Sequence, residues 1–461
     1  MNMPPPTRFA LSAVFAPRTC HATGQWAVWL GTLSLAGLCG GVQAQSLQTL
    51  YEAARGYDAT FLAARAQYEA SVAQAAQAQA GLLPNVGLSA DAMANQRASN
   101  VNTQDGSFNT QNLQLTGRQP LYRPANRLTN EQAQHAVQAA QARLQAAQQD
   151  VLVRTAQAYF DVLAAQDSLT FVQAQKTAVT EQLAAAQRSF EVGSATITDT
   201  REAQARFDLV LAQEIAADND VRVKKLALDQ LVGCNDTAPW RLQPHATLPP
   251  VEPSNVQHWV TLAETEHPTV RQAALGLTIA QLETRKAQTG HQPTLDAVAQ
   301  YQLARTPSSS SGNASYVRNQ TTSVGVQFNL PVFAGHAVQN RVKETLALED
   351  KARNDWEAAK RSVAQATRAS YFGVVSGLGQ VKALQAAEAS SQSALEANQL
   401  GYQVGVRINI DVLNAQSQLY QTKAQLAQAR YNVLLGGLKL KQASGVLQDS
   451  DLQPINAVLV P

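Results

Sequence analysis

The chain has 461 residues, a formal net charge of +2, and only 15% charged and 6% aromatic residues. Near neutrality at this length, with Lys and Arg scattered rather than gathered in a run, argues against a nucleic-acid partner. Cys20, Cys39 and Cys234 form no disulfide framework and no Cys/His cluster with metal-ligand spacing, so neither a metal nor a cofactor is expected.

Residues 1–44 read as a signal peptide: Arg8 and Arg18, an apolar stretch over 27–38, then Val42-Gln43-Ala44 before Gln45. The apolar stretch is about a dozen residues, too short for a stable span, so export is expected. Leu38 is bulky where lipoprotein processing prefers a small residue, which speaks against a lipid anchor on Cys39.

A first structural repeat is expected over 45–233. It opens with a helix over 47–81, closed by Gly81 and Pro84. Strand-like runs at 86–97 and 108–122 flank a polar stretch, which makes a hairpin. From 125 to 192 there is neither Pro nor Gly, and about 68 helical residues would make a rod roughly 100 Å long. Val137, Leu144, Val151, Ala158, Ala165, Val172, Val179 and Ala186 recur every seventh position, a seam for left-handed coiled-coil packing. Gly193 reverses the chain into a return helix.

Residues 234–255, rich in Pro and turn formers, read as a linker or equatorial belt. A second repeat follows over 256–445: a helix over 256–288, strands over 295–305 and 320–333, and a Ser-rich loop between them. A long helix, a turn at Gly405, a return helix and a tail over 446–461 complete the chain. The two copies align at a shift of about 210 residues. Leu83-Pro84 meets Gln292-Pro293, Tyr159-Phe160 meets Tyr371-Phe372, Val192-Gly193 meets Val404-Gly405, and Asp199 meets Asp411.

The short helix before each hairpin and the return helix after each Gly turn are each about half the rod, so stacked end to end they match it. Four strands can cross a bilayer but cannot close a barrel, which needs at least about eight and tolerates no open edge. Three chains supply twelve strands and twelve helical columns. Two chains making eight strands are the geometric competitor, but that barrel would be filled by its own side chains. The fold class expected is therefore an α+β membrane protein, a trimeric 12-stranded β-barrel continued by a 12-helix α-barrel.

The order helix, hairpin, long helix, Gly turn, return helix, twice over, resembles the TolC family of outer-membrane efflux proteins. The most specific match runs from Tyr402 to Leu413, with Val192-Gly193 and Ile197-Thr198-Asp199 as its first-half counterpart. The resemblance implies a homotrimer in the Gram-negative outer membrane whose α-barrel lies in the periplasm. It further implies an entrance latch in which Tyr402 and Arg407 bind near Thr198 and Asp199, and an acidic pore ring at Asp411, whose second position here is Asn414. Helix tips at Val192, Gly193, Ser194, Val404, Gly405 and Val406 would dock a periplasmic adaptor, which joins the duct to an inner-membrane RND or ABC transporter. A structural role for some of the same residues is also expected: Thr198 and Asp199 capping the return helix, Glu202 completing a capping box, and Asp411 capping its own helix.

No nucleophile elbow, P-loop, dinucleotide fingerprint or metal-binding helix motif is present, so no catalytic residue is assigned. The expected activity is passive export of small molecules or unfolded proteins, with energy supplied by the partner. A secreted coiled-coil protein without a pore is the alternative from another class; the two amphipathic hairpins count against it.

Overall fold

The computed structural model describes residues 45–97, 106–193, 196–243, 246–307 and 316–460. The leader, Ser194 and the hairpin loops at 98–105 and 308–315 lie outside these residues. Helices α1 (Leu47–Tyr57) and α2 (Ala59–Ala80) lead into strands β1 (Asn85–Arg97) and β2 (Gly106–Tyr122). Then come the rod α3 (Pro124–Glu191), the return helix α4 (Ile197–Val232) and a linker carrying the short β3 (Arg241–Leu242). The second copy repeats the order as α5 (Val256–Glu266), α6 (Pro268–Gln288), β4 (Thr294–Pro307), β5 (Tyr316–Asn329), α7 (Ala337–Gln403) and α8 (Asn409–Ala443). The tail adds α9 (Gln453–Asn456) and β6 (Leu459–Val460), and β6 pairs antiparallel with β3.

Three local features depart from the sequence expectations. Each opening helix is broken in two. The last strand ends at Asn329 rather than at 333, because Pro331 has no N–H to continue the ladder. The chain then reverses through Gly335 and His336 at positive φ (58° and 65°) before α7 begins.

The breaks fall at equivalent places in the two repeats. Asp58 is extended and its carboxylate accepts the N–H of Phe61 at 2.8 Å, capping α2. Arg154 of α3 grips the same carboxylate at 2.9 and 3.1 Å, and this bond holds Asp58 far below the usual carboxylate range. At the corresponding position His267 caps α6, its Nδ1 accepting the N–H of Thr269 at 3.1 Å ahead of Pro268. An imidazole can accept there only when neutral, and burial lowers its pKa. The charged side chains on its own segment, Glu266 and Arg271, pair with each other at 2.6 Å. Facing it from the end of α8 is uncharged backbone at Gly445.

His267 therefore contributes stability that is complete above the ordinary imidazole value of about 6.5 and is lost as pH falls from there towards its lower folded value. Asp58, depressed, loses its contribution only in much stronger acid. Thermal unfolding at pH 7.5 and pH 5.5 checks this: His267→Asp is expected to shrink the acid-induced drop in Tm, and an unchanged drop contradicts the assignment.

The helices lie in a fixed order. Near the sheet, α3 touches α2 and α6; towards its far end it touches α4 and α8, while α7 flanks α6 and then α8. Gln132 near the start of α3 donates to Glu283 of α6 at 2.9 Å, whereas Lys176 pairs with Glu214 of α4 at 2.6 Å and Gln175 donates to Ser417 of α8 at 3.3 Å. The half-length helices thus follow one another along the rods. All eight seam positions of α3 are buried or half-buried.

The main core lies where the halves meet the linker. Tyr159 and Phe160 of α3 pack with Tyr431 and Leu435 of α8, Leu47 and Leu50 of α1, and Leu452 and Leu459 of the tail. The repeat-related tyrosines tie down the linker: Tyr159 Oη donates to the Trp240 carbonyl at 2.9 Å and Tyr371 Oη to that of Ser254 at 2.5 Å.

Candidate functional site

The strands form one antiparallel sheet in the order β1-β2-β4-β5. Its register sorts the residues onto two faces. One face carries Val86, Leu88 and Ala90; Leu113, Leu115 and Gly117; Leu295, Ala297, Ala299, Tyr301 and Leu303; and Thr322, Val324, Val326 and Phe328. Val324 is 83% exposed and Leu88 70% exposed, which in water would be a costly apolar surface. From Leu295 to Leu303 the apolar run covers about 27 Å of strand, or roughly 20 Å of depth at a tilt of about 40°. Tyr122 and Phe328 stand at its helix-side rim.

The opposite face is polar. Asn112 donates to Asp91 at 3.1 Å and accepts from Gln302 at 3.0 Å. Lower down, Asp296 is buried between two arginines: Arg123 binds it through two hydrogen bonds at 2.7 and 2.5 Å, and Arg118 approaches at 3.3 Å while also donating to Gln327 at 2.8 Å. Sequence reasoning did not single out this cluster. Its signal was one acid among the uncharged inward-facing positions of β4 and one base among those of β2. An apolar outer face with a polar inner face is the two-sided wall of a membrane barrel.

The wall is open at both ends. The sheet stops at β1 on one side and β5 on the other, and each leaves a row of backbone N–H and C=O groups unpaired within the sheet. The helices follow the same order, α2 and α4 against α3, α3 against α6 and α8, and these against α7, with α2 leading into β1 and β5 leading towards α7. Among the described residues no helix is long and apolar enough to cross a membrane.

At the far end of the rods, Gly193 (φ 75°) and Gly405 (φ 78°) reverse the chain as expected, and a Cβ at either would meet nothing within 4 Å. The Gly405 turn ends α7 with the Val406 N–H on the Gly401 carbonyl at 2.8 Å and the Gly405 N–H on the Tyr402 carbonyl at 3.1 Å. Val192, Val404 and Val406 point outward, 64–78% exposed.

Of the latch residues, Asp199, Tyr402 and Arg407 have partners within their own chain. Thr196, not Thr198 or Asp199, caps α4; Asp199 stands three residues on and returns the bond to the Thr196 N–H at 2.9 Å, so Glu202 is not part of the box. Asp199 wins that role because the extended residue is Thr196 (ψ 159°), which fixes the register of the box. Likewise Ile408 is the cap residue of α8, without a side-chain bond, and Asp411 pairs with Arg407 at 3.6 Å. The Arg407 stem lies over Gly401, where a Cβ would approach its Cγ to 2.7 Å. Tyr402 packs beside Leu395, Val412 and Leu419. Asn414 accepts from Arg206 of α4 at 2.7 Å.

The family model described as outer membrane efflux protein matches residues 50–234 and 259–446, one stretch in each repeat. The outer membrane protein TolC of Escherichia coli (strain K12) is 33% identical over 438 residues, covering 93% of this chain and 87% of that one. The alkaline protease secretion protein AprF of Pseudomonas aeruginosa is 29% identical over 422 residues, covering 89% and 86%. Among solved structures, the CmeC outer membrane channel of Campylobacter jejuni matches with a TM-score of 0.76 at 18% identity, over 88% of this chain and 86% of that one. With a two-sided β-wall above paired helical rods, the chain belongs to the outer membrane efflux protein family and is an export channel component of the Gram-negative outer membrane.

Proposed function

We propose that three copies close cyclically, β5 and α7 of one against β1, α2 and α4 of the next, into a twelve-stranded barrel continued by a periplasmic tunnel. Docked through its helix tips to a periplasmic adaptor and an inner-membrane RND or ABC transporter, the tunnel passes small molecules or unfolded proteins outward without an energy source of its own. The observation that carries this reading is the coincidence of the open edges: sheet and helices stop at the same two flanks. A bilayer tolerates no open strand edge, so the flanks must meet. Such head-to-tail contacts build a ring.

The exposed valines at the tips suit the adaptor, because they are apolar, outward-facing and remote from the barrel. The latch suits the tunnel end. Both bonds from Thr196 fall on Oδ2 of Asp199, which leaves Oδ1 for a guanidinium of the neighbouring chain. Gly405→Val tests the docking: positive φ strains the tip, while no neighbouring atom is displaced. Expected is normal barrel assembly with lost adaptor crosslinking and lost export; normal crosslinking overturns tip docking.

A further inference from the structure

The outer face of the sheet carries two charges among its described residues, Arg305 on β4 and Arg318 on β5, and the register sets them directly opposite one another. Like charges in that relation repel, and a barrel surface otherwise built from apolar and uncharged polar side chains gives them nothing in return. No ion pair to either arginine occurs among the described residues. The 308–315 loop that joins their strands contains no acidic residue. Tyr316 lies against Arg305, with the guanidinium 4.7 Å from the ring centroid, which fixes the direction of that side chain.

The pair sits one row beyond Leu303 and Gln320, at the hairpin end of the apolar band. The helices leave the sheet at the other end, so this is the outer rim of the membrane-crossing wall. An open cleft of about 680 Å³ lies here, lined by Leu113, Leu303, Arg305, Tyr316 and Arg318 among others. Two guanidinium forks at the rim of an apolar surface present bidentate donors above a greasy wall.

We propose that Arg305 and Arg318 form a binding site for the phosphate group of an anionic lipid headgroup in the outer leaflet, with Leu113 and Leu303 covered by the lipid's apolar part. The proposal rests on the barrel reading, which places this face against lipid. A free phosphate ion would meet the arginines but leave the apolar half of the cleft unused, so a lipid is the better-fitting source. The site would neutralise a repulsion that the strand register builds in, and would do so once in each copy of the chain.

The assembled protein, purified in neutral detergent, would be exposed to phosphorylated lipid A, dephosphorylated lipid A or inorganic phosphate, and the lipid retained counted by native mass spectrometry. Arg305→Gln with Arg318→Gln is expected to weaken retention of the phosphorylated lipid roughly tenfold, the loss of two charge-assisted contacts, and to leave the dephosphorylated lipid unaffected. Equal retention of the phosphorylated lipid by both proteins overturns the proposal, as does displacement of that lipid by inorganic phosphate at matched concentration. Failure of the unaltered chain to assemble would count against the barrel reading, a separate outcome.

Discussion

Replacing Gly445 with alanine is expected to destabilise the protein by upwards of about 3 kcal/mol, combining a left-handed backbone imposed on an L residue with overpacking. Gly445 ends α8 at φ 79°, with the Val446 N–H returning to the Lys441 carbonyl at 3.0 Å. A Cβ there would lie 2.4 Å from His267 Cα and 2.8 Å from His267 N, backbone atoms that cannot swing aside. The turn packs on the break between α5 and α6, and Gln149 of α3 donates to the Gly445 and Leu447 carbonyls at 3.1 and 3.2 Å. Moving it would lift the tail, with Leu447, Leu452 and Leu459, out of the main core. Gly437→Ala is the matched control: it lies inside α8 with nothing within 4 Å of its Cβ, and gains up to about 1 kcal/mol of helix propensity. Equal denaturant midpoints for the two variants would contradict this account.

The second large effect is expected at the tunnel end. Arg407 is 59% exposed in its side chain and its ion pair with Asp411 spans 3.6 Å across the start of α8, a contact worth only a few tenths of a kcal/mol. So weak a pair holds Arg407 in place without committing it, and in the proposed latch its guanidinium exchanges to Asp199 of the adjoining chain. Buried polar atoms at this end, Thr200 Oγ1, Asn409 Nδ2 and Gln416 Oε1, have no partner among the described residues, as suits a contact that is remade between states. Tyr402→Phe with Arg407→Ser is expected to raise single-channel conductance several-fold while leaving heat resistance of the assembly unchanged. Unaltered conductance would remove the latch from the proposal.

Much of this architecture is written in local signals. The hairpins announce themselves by alternation and polar loops, the rods by an absence of Pro and Gly from 125 to 192, and the tips by Gly193 and Gly405. Repeat symmetry then orders the parts. The breaks at Asp58 and His267 were less legible, since each interrupts an otherwise helical run at one residue. Contacts between distant segments were not legible at all. Arg123 meets Asp296 across 173 positions, and Arg305 stands opposite Arg318 only because β4 and β5 pair in one register rather than its neighbour. The cap at Thr196 escaped for a related reason: Thr196, Thr198 and Asp199 are all competent caps, and backbone conformation chooses among them.

If the open flanks of one chain close on those of the next, the protein in the membrane is a ring of three copies. The most direct test is the mass of the assembly extracted from outer membranes in mild detergent, measured by native mass spectrometry. A species of three chains that dissociates only on strong heating and conducts ions when inserted into a planar bilayer is expected. An elongated single chain, or a two-chain species that fails to conduct, would contradict it.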